Sequence, residues 1–238
     1  MQLDKVKHLL ALYEQGLIPT LAQHEVNPGL PLGSRENYLY FTLPVCINFQ
    51  RSSPAMWASA LKTYEDETTR YVFYPERLAD TPIEQIRADL VKHKLALQPN
   101  KHTLIWTTIA QTLHEYYKDD PRKIITEAES DAGQLIALLQ KTHRKRFPYL
   151  SGPKLSNYWP FILSRFTDVH FKNAQEISII PDTHVLQCSV HLGVTPVGAT
   201  PLQAEAAWKE LLKDSGINPS QVHPALWHWS RNKFQPEV

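Results

Sequence analysis

The chain has 238 residues, a formal net charge of +1, 42% hydrophobic and 21% charged residues. This composition excludes a disordered polypeptide and suits one large or two small helical domains, and the near-neutral charge excludes a surface covered in phosphate contacts. No apolar run approaches the ~20 residues of a membrane span, and Cys46 and Cys188 stand too far apart for a C-x-x-C zinc site, an iron–sulfur cluster or a disulfide scaffold.

Helical periodicity runs through the chain. The N-terminal stretch "MQLDKVKHLLALYEQG" is an amphipathic helix carrying acids and does not read as a signal peptide. It sets Leu3, Val6, Leu9, Leu10 and Tyr13 on one face, and Gly16 stops it. The Pro- and Gly-rich "HEVNPGLPLGSRENY" reads as loop. In "YLYFTLPVCINFQ" the β-branched and aromatic residues favour strand and the length permits a buried helix broken near Pro44; helix is the expectation taken. Ser53 and Pro54 open the next helix, proline sitting where its missing N–H costs least. Thr81 is read as the cap of "PIEQIRADLVKHKL", with Glu84 completing a capping box, and a further helix follows Asn100.

Another helix is expected over 130–144. It ends in a cluster of cations, Lys141, His143, Arg144, Lys145 and Arg146, which by itself is a solvated helix end complementing the helix dipole. The chain then bends through "FPYLSGPK" into "KLSNYWPFILSRF", apolar on most sides and so central to a core. A polar connection with a short β-branched patch leads to "DTHVLQCSVHLGV", a helix that Gly193 stops, and helices after Pro201 and over "HPALWHWSRNKF" close the chain. Many helices joined by short turns, without a fixed-period repeat, give an all-α fold.

The bend is a candidate anion site. A tight turn between helices can present backbone N–H groups together, and Gly152 lets the backbone approach a ligand closely. Lys154 then stands at the head of the following helix, beside any phosphate that Ser151 and Gly152 would hold.

"LSGPK" ahead of an apolar helix, followed by "IPDTHV" and "LGV", resembles the helix-hairpin-helix DNA glycosylases, the superfamily of endonuclease III and the 8-oxoguanine glycosylases. The likeness covers roughly residues 35–234, including "HPALW" near the end. In that superfamily a hairpin L-P-G-x-G-x-K ends in a catalytic lysine, matched by Gly152 and Lys154, and a later D-T/V-H-V segment supplies a catalytic aspartate, matched by Asp182. Leu150 stands where the first hairpin glycine belongs, Pro153 removes one N–H, and the iron–sulfur cysteines are missing. The 28 positions from Lys154 to Asp182 exceed the usual spacing and resemble the archaeal 8-oxoguanine glycosylase class, as an insertion at 168–180 would explain.

The resemblance implies a two-lobed helical fold with a central cleft. Residues 1–238 form one unit of two interlocked lobes, with an N-terminal helix and loop at 1–34, the glycosylase-like core at 35–234 and the hairpin at 147–154. It implies cleavage of the N-glycosidic bond of a damaged purine such as 8-oxoguanine. Asp182 would stabilise charge developing on the sugar. Lys154, with its amine neutral, would attack the anomeric carbon and form a Schiff base that permits strand cleavage. If Lys154 stays charged, Asp182 activating water leaves a glycosylase without lyase action. Arg144, Lys145 and Arg146 join Ser151 and Gly152 as phosphate contacts, while Gln50, Arg51, Trp106, Trp227 and Trp229 are candidates for the base pocket or wedge. The expected partner is double-stranded DNA bearing a damaged base, met by a monomer without cofactor, metal or membrane, in the cytoplasm or nucleoid, or the nucleus of a eukaryote.

Each residue also has an ordinary reading. Asp182 after Pro181 is a good helix N-cap, Lys154 a solvent lysine, and most aromatic residues are core. Two other functions remain open at this point: an N-glycosidase for a free modified nucleoside or nucleotide, and a DNA-binding or interaction module that keeps the fold without turnover.

Overall fold

Prolines and short polar side chains set where the helices begin in the computed structural model, which describes residues 1–20 and 25–238. The chain divides into two units, Met1–Ala22 with Asn173–Val238, and Gln23–Lys172. Helix α1, Gln2–Glu14, opens the first unit. The second unit carries α2 (Arg35–Tyr40), α3 (Ser53–Glu65), α4 (Pro75–Leu78), α5 (Ile83–Lys92) and α6 (Pro99–Tyr117). It continues with α7 (Arg122–Glu127), α8 (Ala132–Ala137) and α9 (Pro153–Phe166). The chain then returns to the first unit for α10 (Thr183–His191), α11 (Pro201–Leu212) and α12 (Pro219–Arg231). Among the described residues there is no β-strand, only an isolated bridge pairing Asp131 with Lys172. The all-α expectation holds.

In the second unit, α9 is buried on every side from Leu155 to Leu163, as its unbroken apolar sequence predicts. The indoles of this core find acceptors: Trp159 Nε1 donates to Thr42 Oγ1 at 3.0 Å and Trp57 Nε1 to the Tyr158 hydroxyl at 3.0 Å. The first unit has its own core, in which Val6 and Leu9 of α1 pack with Val185, Cys188, Trp208, Leu226 and Trp229. Each large side chain so buried contributes roughly 1.5–3 kcal/mol.

Several expected boundaries shift for local reasons. "YLYFTLPVCINFQ" is helical only in pieces: α2 ends at Tyr40 and a 3₁₀ turn spans Pro44–Ile47, because Pro44 cannot donate to a continuing helix. Thr81 does not cap α5; its hydroxyl donates back to the Arg77 carbonyl and Pro82 takes the cap position. Helix α6 starts at Pro99 rather than after Asn100. The helix expected over 130–144 is shorter: Asp131 caps α8 through the Gln134 N–H, and the chain winds into a π turn over Leu138–Thr142. Of the loop expected to begin at His24, that residue lies outside the described residues, and the remainder carries a capped start at Ser34, whose hydroxyl accepts from the Asn37 N–H.

Candidate active site

The bend before α9 is anchored at both ends within its unit. On the incoming side the Thr112 hydroxyl of α6 donates to the Arg146 carbonyl at 2.9 Å, and on the outgoing side Gln140 Nε2 of the π turn donates to Ser156 Oγ of α9 at 2.8 Å. Between them the chain closes on itself. The Leu150, Ser151 and Gly152 amides donate to the carbonyls of Pro148, Phe147 and Tyr149 at 2.8, 2.9 and 2.9 Å. The Ser151 and Gly152 N–H groups are therefore engaged inside the turn, which corrects the expectation that they stand free for a phosphate. Gly152 is the N-cap of α9 and has no side chain to accept from the first amides of the helix. Pro153 has no amide hydrogen, so the orphan donors of α9 are those that follow it.

Gly152 is fixed by space rather than by backbone twist. A Cβ there would meet the Tyr149 carbonyl oxygen at 3.1 Å. The residue in the left-handed region is Tyr149, at φ 63°. This explains the departure at Leu150: the turn asks no positive φ of that position, and the leucine side chain is fully buried. Lys154 follows as the second residue of α9, exposed and free of any salt bridge among the described residues.

Sequence reasoning missed the group that packs on the turn. The Tyr149 ring stacks on Phe49 with centroids 4.2 Å apart and planes 14° apart. Lys101 Nζ lies 4.9 Å from the Phe49 centroid and 4.8 Å from that of Tyr149. His102 meets Phe49 edge-on, and its Nδ1 accepts from the Leu97 amide at 3.2 Å. Burial, with Arg51 and Lys101 nearby, pushes the His102 imidazole down to about 4. The available signal was two aromatics at marked places, Phe49 just before Gln50 and Tyr149 where the resembling motif has proline.

Of the base-contact candidates, Gln50 is exposed at φ 51°, its side-chain oxygen 3.4 Å from Gln98 Nε2. Arg51 is instead tied down: its guanidinium donates to the carbonyls of Leu95 and Lys94 at 2.6 and 3.2 Å, and burial lowers its pKa to about 10. It serves the turn ahead of α6 rather than a base. Arg144 and Lys145 are exposed, while Arg146 lays its guanidinium 3.7 Å from the Tyr116 ring centroid. His143 turns back to Glu127, with Nε2 2.9 Å from the carboxylate.

In the first unit, Asp182 caps α10. Its Oδ1 accepts from the Val185 amide at 3.0 Å and the residue is half-buried. The nearby Cys188 thiol is pushed up to about 12 by burial and then by the Asp182 charge. Two residues along, His184 Nδ1 lies 3.0 Å from Ser230 Oγ, and its ring meets Trp227 edge-on at 5.5 Å. Trp227 is half-buried, with Arg231 5.0 Å from its ring centroid. Trp229 is 3% exposed, with Nε1 donating to the Pro236 carbonyl. Trp106 is fully buried in the second unit, its N–H held by the Val72 carbonyl. Both indoles are core with their donors satisfied, which corrects their assignment to the base pocket.

No protein-family model matches the chain, and no curated protein sequence matches it. Among solved structures, a trapped Endonuclease III–DNA covalent intermediate, the estranged-adenine complex, is similar with a TM-score of 0.61 at 15% identity, covering 99% of this chain and 89% of that one. A non-covalent Endonuclease III–DNA complex is similar with a TM-score of 0.60 at 16% identity and the same coverages. The helical fold is therefore that of Endonuclease III.

Proposed function

We propose that this chain, having the Endonuclease III fold, is a DNA glycosylase of base-excision repair that removes a damaged purine such as 8-oxoguanine and, through Lys154, also acts as an abasic-site lyase. The observation that carries the reading is the hairpin: a turn tied shut by its own amides delivers an exposed lysine to the first turn of α9, in a chain that aligns along 99% of its length with an Endonuclease III–DNA covalent intermediate.

The residues take complementary parts. The Lys154 amine, once deprotonated, attacks the anomeric carbon; the C–N bond to the base breaks and its electron pair leaves with the base, which takes up a proton. Opening of the sugar ring converts the adduct to a Schiff base, and loss of a C2′ proton expels the 3′ phosphate. Asp182 retains one carboxylate oxygen outside the α10 cap bond, and its negative charge favours the cationic sugar of the transition state. Arg144 and Lys145 are exposed cations on the approach to the hairpin and suit the DNA backbone. Gln50, exposed in its turn, and Trp227 are the remaining candidates for contact with the base or the gap it leaves.

Borohydride trapping tests the reading. With a duplex carrying an abasic site or 8-oxoguanine, the wild type is expected to give a covalent protein–DNA adduct that Lys154→Ala loses. Base release without an adduct would remove the lyase step and leave a monofunctional glycosylase; absence of both would overturn the repair function.

A further inference from the structure

The hairpin lacks the first glycine of the motif it resembles, yet it closes with the Leu150, Ser151 and Gly152 amides all paired. The left-handed residue is Tyr149, and for a residue with a Cβ that conformation is disfavoured roughly 10-fold. Something in the fold must offset this. Besides the turn's own hydrogen bonds, the Tyr149 ring lies flat against Phe49 at 4.2 Å, with Lys101 Nζ within 5 Å of both ring centroids. A stacked ring pair with an ammonium set against it supplies a factor of about the same size.

We propose that the Phe49–Tyr149 stack, clamped by Lys101, replaces the missing hairpin glycine and thereby positions Lys154. The link is short: the Tyr149 carbonyl accepts from the Gly152 amide at 2.9 Å, Gly152 is the N-cap of α9, and Lys154 is two residues beyond it. Phe49 itself meets the buried His102 ring edge-on, so the clamp is backed by the core. Phe49, Tyr149 and Lys101 are thus positioning residues, and the inference rests on Lys154 being the nucleophile proposed above.

The test reads the hairpin and the chemistry separately. In hydrogen exchange, the Ser151 and Gly152 amides are expected to exchange roughly 10-fold faster in Phe49→Ala and roughly 3-fold faster in Lys101→Met, with Trp159 and Ile162 amides in α9 unchanged. Tyr149→Phe, which keeps the ring, should match the wild type. Schiff-base trapping on abasic DNA should slow by a similar factor in Phe49→Ala, with duplex affinity kept, and recover in Tyr149→Phe. If Phe49→Ala loses protection in α9 as well, Phe49→Leu retains apolar volume without the ring and gives the same reading. Unchanged exchange at Ser151 and Gly152 in the ring-less variant overturns the clamp even if the wild type is active. Exchange that responds as expected in a protein that forms no adduct keeps the clamp and removes Lys154 as nucleophile.

Discussion

Replacing Asp182 by asparagine separates two roles that one side chain holds. Its Oδ1 caps α10 through the Val185 amide at 3.0 Å, and asparagine caps a helix about as well as aspartate, so Asp182→Asn should change stability by only a few tenths of a kcal/mol. Asp182→Ala removes the cap and should cost about 1 kcal/mol, a fall in Tm of roughly 2–4 °C for a chain of this size. Catalysis divides differently. If the carboxylate stabilises the sugar cation, both variants lose the charge, and loss of one such group lowers the rate about 100- to 1,000-fold. Thermal melts paired with single-turnover base release distinguish the cases: Asp182→Asn is expected to melt like the wild type and to be nearly inactive. An asparagine variant that works at the wild-type rate would reduce Asp182 to a helix cap.

Replacing Arg144 and Lys145 together by alanine should weaken DNA binding equally on all sequences and lower the slope of log affinity against log salt by about 2; an unchanged slope means that these exposed cations do not meet the backbone. Gly152→Ala forces a Cβ to 3.1 Å from the Tyr149 carbonyl oxygen, and urea unfolding should find it destabilised by about 1 kcal/mol; equal stability would show that the turn relaxes freely. The folded protein holds His102 near 4 against 6.5 for the unfolded imidazole. The unfolded chain therefore binds the proton first, and stability is lost as pH falls from about 6.5 through about 4, by on the order of 3 kcal/mol in all. Denaturant titrations across that window should find a weaker acid dependence in His102→Gln, and parallel curves for the two proteins would refute the assignment.

The all-α fold, the Asp182 cap and the lysine at the head of α9 were legible because each depends on residues within a turn or two of one another. The same locality misled at Thr81, whose hydroxyl does not accept from a helix amide as a cap would but donates to the Arg77 carbonyl behind it. Aromatic residues were harder. Trp106 and Trp227 look alike in sequence, yet one is sealed in a core with its N–H on Val72 and the other stands half-buried beside His184. Arg51 read as a candidate for the base pocket or wedge, and only the fold brings the Lys94 and Leu95 carbonyls to its guanidinium.

The sequence by itself determined the helix class, the proline and glycine that start α9, and the lysine they deliver, since caps and missing N–H groups act over three or four residues. Only the tertiary structure decided how the turn closes without its first glycine. Phe49 and Tyr149 are separated by 100 positions, and no local periodicity relates them; their stacking arises because the core positions the turn after Ile47 and the start of α6 against the hairpin, where ring and ammonium fit.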